Sequence, residues 1–255
     1  MTTTSGAGRP QPTARSARDA TAHDAVSVGE AVRARSAAEA ANSVDVVWDE
    51  GACALVEGVT ALHDGSFLLT VPLGTALADR LLRADAEGTD VGGCLGVTDL
   101  APVAVRDRVR GRLALAGWFE VRSQGADLRC RLEPQEVLWQ DCGAPTPGRR
   151  RPRPAVRVDA DDYRCAECDP LAAHEAELLL ALLRETRTLA FLAARAGLAG
   201  LARRGDPVRP VRLDRSGVAL RLDRACGPVE VPLRFPHDAT GPSLAWAGLE
   251  ALARP

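Results

Sequence analysis

Apolar and polar residues alternate most regularly between Val105 and Val121, VRDRVRGRLALAGWFEV. Val105, Val109, Leu113, Leu115, Phe119 and Val121 fall on one face of an extended chain. Arg106, Arg108, Arg110, Arg112, Ala114, Ala116 and Trp118 fall on the other. Successive side chains of a strand point to opposite faces, so the pattern predicts a strand with one packed side and one arginine-studded side. Around it the same reading predicts a β-rich block. Gly29–Ser43 is alanine-rich and reads as a helix anchored by Val32. Short strands follow at Val44–Trp48, Ala52–Ala61 and Phe67–Val71, separated by Asp/Gly turns of the hairpin kind. Thr75 can cap a helix from Ala76 to about Ala84, with Leu77, Leu81 and Leu82 on one face. Strands at Val91–Thr98, Asp127–Glu133 and around Glu136–Trp139 complete the block, which reads as a small antiparallel barrel of six or so strands.

Gly143–Arg157 (GAPTPGRRRPRPAVR) is rich in proline and arginine and cannot be a core element. Beyond it, Asp169-Pro170 is a helix-start signal. Helices are predicted over Pro170 to about Arg184 and Thr186 to Ala202. Strands follow at Val208–Leu213, Val218–Leu222 and Val229–Phe235, and a last helix runs to Ala253 after Gly241-Pro242. The order is ααβββα. The expected division is a disordered tail over residues 1–28, a barrel over 29–142, a linker over 143–158 and an α/β unit over 159–255.

Composition narrows the chemistry. The chain of 255 residues has 46% hydrophobic but only 4% aromatic residues, so Leu, Val and Ala must build the core. The formal net charge of -2 favours neither a nucleic-acid nor a membrane partner. Arg149–Arg153 is a basic run without interleaved aromatics, so nucleic-acid binding ranks last among the readings. No lysine is present, which excludes Schiff-base chemistry and a P-loop lysine. An odd count of seven irregularly spaced cysteines, no apolar run of secretory type at the start and no apolar stretch of membrane-spanning length lead to an expectation of a cytoplasmic protein with free thiols.

Several residues carry a resemblance. In the barrel they are Phe67–Val71, then Leu73-Gly74-Thr75 with its helix, then Arg112-Leu113-Ala114-Leu115-Ala116-Gly117. In the second block they are Val211-Arg212-Leu213-Asp214-Arg215-Ser216-Gly217-Val218-Ala219-Leu220-Arg221. Together they resemble the heme-utilisation family of split-barrel proteins, in which a split barrel of the pyridoxamine phosphate oxidase and flavin-reductase type precedes a small α/β domain. The fold class this implies is α+β: a split antiparallel β-barrel followed by a small ααβββα domain. The resemblance also implies a homodimer and a cleft that takes heme or FMN. Any redox chemistry would then belong to the cofactor. The alternative is a non-catalytic dimer whose cleft serves dimerisation or binds an unknown small anionic ligand or partner.

The expected cofactor residues are Arg106, Arg108, Arg110 and Arg112, Thr75, His63 and His237. Guanidinium groups suit the propionates of heme or the phosphate of a flavin. They equally suit ion pairs to Asp99, Asp107 or a partner subunit. Thr75 stands at the start of the helix where flavin-binding relatives hold phosphate, but Ala76 and Leu77 follow it, and Arg80 is the nearest basic group. His237 and His63 are the imidazoles placed to reach iron. Cys165-Ala-Glu-Cys168 is a single pair where structural zinc usually takes two, so free thiols and no metal are expected. Asp159, Asp161 and Asp162 read as a helix cap. No hydrolase motif occurs, and no set of residues identifies a catalytic reaction.

Overall fold

A computed structural model describes residues 28–144, 154–203 and 205–254. The expected tail before residue 28 and most of the proline- and arginine-rich run lie outside the described residues. The first helix, α1, occupies residues 28–39. It leads into β1 (Val44–Trp48), β2 (Gly51–Leu55), β3 (Val59–Ala61) and β4 (Phe67–Pro72). Helix α2 (Ala76–Glu87) separates these from β5 (Val91–Leu100), β6 (Val109–Gln124) and β7 (Asp127–Asp141). A short β8 (Val156–Val158) closes the sheet. All pairings are antiparallel, in the order β2-β1-β5-β6-β7-β4-β3, with β8 beside β7. The sheet curls into a half barrel.

Its concave face carries Phe67, Leu69, Leu95, Leu113, Leu115, Leu128, Leu132 and Trp139, all buried. Leu77 and Leu81 of α2 and Ala31, Ala34 and Ala38 of α1 cover them. The alternation that marks β6 in the sequence persists from Leu113 to Phe119: Leu113, Leu115 and Phe119 are buried, Arg112 and Trp118 exposed.

The remainder forms a three-stranded sheet, β9 (Val208–Asp214), β10 (Gly217–Leu222) and β11 (Val229–Arg234), with β10 in the middle. Helices α4 (Glu175–Arg184), α5 (Thr186–Arg195) and α6 (Pro242–Leu252) pack on it. Every residue of β10 is buried, because the helices cover one face and the barrel's loop 101–108 covers the other. The architecture is therefore α+β: a split barrel plus a smaller α/β unit. Among the described residues no helix is long and apolar enough to cross a membrane.

Several expected boundaries shift, each for a local reason. The long strand begins at Val109 and not at Val105. Residues 101–108 instead form a loop that closes on itself. Arg108 Nε donates to the Ala101 carbonyl at 2.9 Å, and the Val109 N–H donates to Asp107 Oδ1 at 3.1 Å. Ala101 and Val103 then point into the second core. Arg106 and Arg108 consequently do not share a strand face with Arg112. The expected strand Ala52–Ala61 divides into β2 and β3 because the chain turns at Gly58, whose φ is +70°. A Cβ there would sit 2.6 Å from Thr70 Cβ.

Conversely, the two expected strands Asp127–Glu133 and Glu136–Trp139 are one, β7, so the barrel sheet has eight strands where six or so were expected. Pro134 is tolerated inside it. On one side β4 pairs only as far as Leu132 and β8 starts only at Val137, so no neighbour there needs the missing N–H. On the other side Pro134 lies opposite Gly117 at a bulge.

The Asp169 carboxylate is used to hold a turn, accepting from the Leu171 N–H and the Arg215 N–H at 2.9 Å each, so α4 starts five residues after Pro170. Asp159 does cap a helix, α3 (Ala160–Cys165), through the N–H groups of Asp161 and Asp162. Val158 and Tyr163 fill the barrel core, so the first core extends past the expected linker.

Candidate functional site

Where the barrel meets the α/β unit, a cleft of about 290 Å³ opens. Three parts of the chain build it. One wall is α1, through Val32, Arg33, Ser36, Ala37 and Ala40. The floor is formed by the central strands β5, β6 and β7 of the barrel sheet, through Asp99, Arg110 and Trp139. The opposite wall comes from the turn 169–172, Glu175 and the hairpin bend between β9 and β10. Its volume sits at the lower end of small-molecule sites, and its walls are mainly apolar with a few convergent polar groups.

The bend is rigid for reasons visible in its sequence. Asp214 Oδ1 accepts from the Ser216 N–H at 2.8 Å and from the Ser216 hydroxyl at 2.6 Å. Gly217 then brings the backbone so close to β11 that a Cβ would lie 2.0 Å from the Leu233 carbonyl oxygen. Arg212 and Arg215 are presented from this bend into the cleft.

Behind the floor lies a buried ionic junction. Arg110 is only 7% exposed. Its Nη2 donates to Asp99 Oδ1 at 2.6 Å and to Glu175 Oε2 at 2.9 Å. Its Nη1 donates to Glu175 Oε1 and, at 2.9 Å, to the Val211 carbonyl. Burial opposes the charge, but the Glu175 and Asp99 carboxylates outweigh it and raise the guanidinium pKa above its ordinary value. Glu175 also accepts from the Leu213 N–H at 2.9 Å. Arg110 thus ties β5, α4 and β9 together. A second junction lies nearby, where buried Arg221 donates to Glu230 Oε2 at 2.9 Å and to the Asp107 carbonyl.

The donors of the cleft are not all consumed in this way. Arg212 Nη2 donates to the Arg110 carbonyl at 3.3 Å and lies 3.7 Å from Asp141 Oδ1, while its Nε and Nη1 have no partner among the described residues. Arg215 is held at Nε by Asp169 Oδ2 (3.4 Å) and at Nη2 by the Cys168 carbonyl (3.2 Å), leaving Nη1. Trp139 is 1% exposed, and its indole N–H also has no partner among the described residues. Four arginines on the lining (Arg33, Arg110, Arg212, Arg215) face four carboxylates (Asp99, Asp169, Glu175, Asp214), so the attraction for an acceptor is local and not a net field.

Of the residues expected from the sequence, the cleft includes Arg110 alone. Arg106 is exposed, its backbone N–H donating to Asp223 Oδ2 at 3.4 Å. The Arg108 side chain closes its own loop, and Arg112 is exposed on the outer sheet face between Thr98 and Gln140. Thr75 caps α2, accepting from the Ala78 N–H at 3.3 Å and donating to the Pro72 carbonyl at 2.8 Å. Arg80 is paired with Asp49 and Glu50. His63 is exposed in a turn whose carbonyl accepts from Arg35, and His237 is exposed beyond β11. All seven cysteines are free. Among the described residues no three His, Cys, Asp or Glu side chains converge so as to hold a metal ion.

Arg33, Arg212, Arg215 and Trp139 escaped the sequence reading as site residues. The hairpin Asp214-Arg215-Ser216-Gly217 was a signal, because a tight bend with an arginine at its tip is a natural place to present a donor. A second hollow of about 480 Å³ lies beside half-exposed Trp118, but Asp85, Asp90, Glu120 and Glu133 line it and no arginine does. It would repel an acidic ligand.

No protein-family model matches the chain, and no curated protein sequence matches it. Among solved structures, a heme binding protein from Mycobacterium smegmatis superposes with a TM-score of 0.54. It is 20% identical in sequence, and the match covers 88% of this chain and 96% of that one. The two share a fold. A protein of unknown function from Agrobacterium tumefaciens matches over 97% of this chain and all of that one, at 16% identity and a TM-score of 0.33, too loosely to bear on the comparison.

Proposed function

We propose that the chain is a heme-binding split-barrel protein whose ligand occupies the cleft between the barrel and the α/β unit. The observation that carries this reading is the cleft itself: apolar walls with spare guanidinium donors, in a fold that a heme binding protein shares. Heme is a flat apolar body with two carboxylates on one edge, and the cleft offers matching surfaces. Val32, Ala37, Ala172 and Leu213 line the apolar part, and Arg212 and Arg215 supply donors. When bound, heme supplies an iron centre able to bind or exchange electrons with small molecules. No histidine, cysteine, methionine or tyrosine of the described residues lines the cleft, so the reading rests on the acidic edge and the apolar walls. His63 and His237, both exposed and neither on the cleft lining, are the imidazoles that the family resemblance offers to vary for an iron ligand. A flavin is less well served, because Thr75 is spent as a helix cap and Arg80 on Asp49 and Glu50.

The test is a titration of the purified protein with heme, followed by visible absorbance. A saturable Soret shift at one heme per chain is expected, weakened when Leu213 is replaced by Asp in the cleft wall. An unshifted spectrum sinks the proposal, and flavin bands in the protein as purified would replace heme by FMN. Sizing the same preparation tests the homodimer that the family resemblance implies.

A further inference from the structure

We infer that the outer face of the barrel sheet docks a second copy of this chain, with Arg112 of one copy seated on Trp118 of the other. The inference takes up the homodimer that the family resemblance implies, names its face and contacts, and does not depend on the heme reading. Helices α1 and α2 and Tyr163 pack on the concave side of the sheet. The opposite side carries apolar and small residues in register. Val47, Cys94 and Ala116 stand side by side on β1, β5 and β6, and Gly96, Ala114 and Leu138 form the next row on β5, β6 and β7. Val47 is 50% exposed and Leu138 42%. A sheet face that looks onto water normally alternates to polar residues, and a contiguous apolar patch on it marks an interaction surface. Asp45 and Glu136 stand at its flanks on β1 and β7, Glu136 already paired with Arg157, which makes a polar rim.

The two ends of this patch differ in charge, and that difference names the occupant. At one end Arg112, between Thr98 and Gln140, is exposed and makes no ion pair among the described residues. At the other end Trp118 stands between Gly92 and Glu133. Its ring lies against Gly92, where a Cβ would meet Cζ3 at 3.2 Å, yet the indole stays 55% exposed. The acidic hollow lined by Glu120 and Glu133 opens beside it. An aromatic face among carboxylates suits a guanidinium group, and the same sheet face presents one at its far end. A twofold axis lying across the strands turns the face end for end. It lays the row of Arg112 over the row of Trp118 and Glu133, and the Ala114 row over the Ala116 row. A twofold along the strands would keep each row on its own copy, arginine against arginine and carboxylate against carboxylate, which charge disfavours. The four rows from Arg112 to Trp118 on β2, β1, β5, β6 and β7 cover roughly 600 Å² at the usual strand spacings, near the ~800 Å² that each partner of a stable interface contributes. Glycine and alanine in the middle let the two backbones approach closely.

The experiment is sedimentation velocity on the full-length protein over a dilution series, with no heme added. Wild type is expected to be a dimer. Ala114→Glu places a charge in the middle of the patch and should give a monomer with an unchanged far-ultraviolet spectrum. Arg112→Glu acts twice in a symmetric interface and should weaken dimerisation by ~10- to 100-fold. Adding Glu133→Arg to Arg112→Glu reverses the pair and should recover at least ~10-fold of that loss. A wild type that is monomeric throughout overturns the inference and leaves the cleft and its heme reading untouched. A dimer that persists in folded Ala114→Glu overturns the assignment to this face while the dimer itself stands. No recovery in the reversed pair overturns the seating of Arg112 on the Trp118 end. Arg112 and Glu133 are both exposed and contribute nothing to either core, so the charge reversal decides the matter even where Ala114→Glu fails to fold.

Discussion

Arg110 shows how much one side chain can carry. In the sequence it reads either as a cofactor anchor or as an ion-pair partner such as that of Asp99, and the fold removes it from water and surrounds it with two carboxylates, Asp99 among them, and a carbonyl. Arg110→Met leaves Asp99 and Glu175 facing each other without their cation. Breaking a buried pair from one side typically costs ~3–5 kcal/mol. The urea midpoint should fall accordingly, and the triple change Arg110→Met, Asp99→Asn, Glu175→Gln should recover part of the loss. An unchanged midpoint for the single variant would show that the junction contributes little.

Tyr163 gives a second prediction at this scale. It is the single tyrosine of the chain, enclosed beneath the Arg35 guanidinium at 5.3 Å from ring centre to Cζ. Burial raises its pKa, against the opposing pull of Arg35, to about 12. The unfolded chain ionises it near 10, so the native state binds the proton more tightly. Its contribution is therefore complete below pH 10 and is lost as pH rises towards 12. The phenolate absorbance of native protein should lag behind that of protein in urea by about two pH units. Coincident titration curves would mean that the ring is open to solvent.

Among the elements, β6 and β7 hold the barrel by their contact at Gly117. A Cβ there would lie 2.0 Å from the Glu133 carbonyl oxygen. Backbone cannot yield as a flexible side chain can, so Gly117→Ala should destabilise by about 1–3 kcal/mol, read as a lowered Tm. Gly125→Ala, in the turn that joins the same strands, meets nothing within 4 Å and should leave Tm almost unchanged. These strands also show what a sequence can reveal. Alternation in β6 was legible because one face is packed and the other open along Leu113–Phe119. The hairpin β9–β10 was legible because its bend uses side chains adjacent in sequence. The continuity of β7 was not, since Pro134 is harmless only because β4 ends and β8 begins on either side of it. The loop 101–108 misled for a related reason: Val105 and its neighbouring arginines imitate a strand, while the actual determinant is the burial of Ala101 and Val103 more than 60 residues away in sequence from α4. The cleft residues were hidden likewise, because α1, the strands β5 to β7 and the β9–β10 bend come together only in the folded chain.

At the scale of the whole molecule the two cores are interlocked and not merely adjacent. The barrel sends Ala101 and Val103 into the second core, and the second unit returns Glu175 to Arg110 and Arg221 to Asp107. Equilibrium unfolding followed by tryptophan fluorescence and by far-ultraviolet dichroism should therefore give one coincident transition. In Val103→Asp the α/β unit should melt first and the two curves should separate. Separate transitions already in the wild type would mean that the units are independent. The threaded loop also bears on birth order. On the ribosome the barrel's last core residue, Tyr163, emerges well before Leu252 of α6, which completes the second core. At the usual pace of synthesis that interval is on the order of ten seconds. Throughout it Ala101 and Val103 stand on a nearly finished barrel with nothing to enter, an apolar lure for chaperones or for neighbouring nascent chains, and slowing translation over the last third of the message should raise the fraction lost to aggregation.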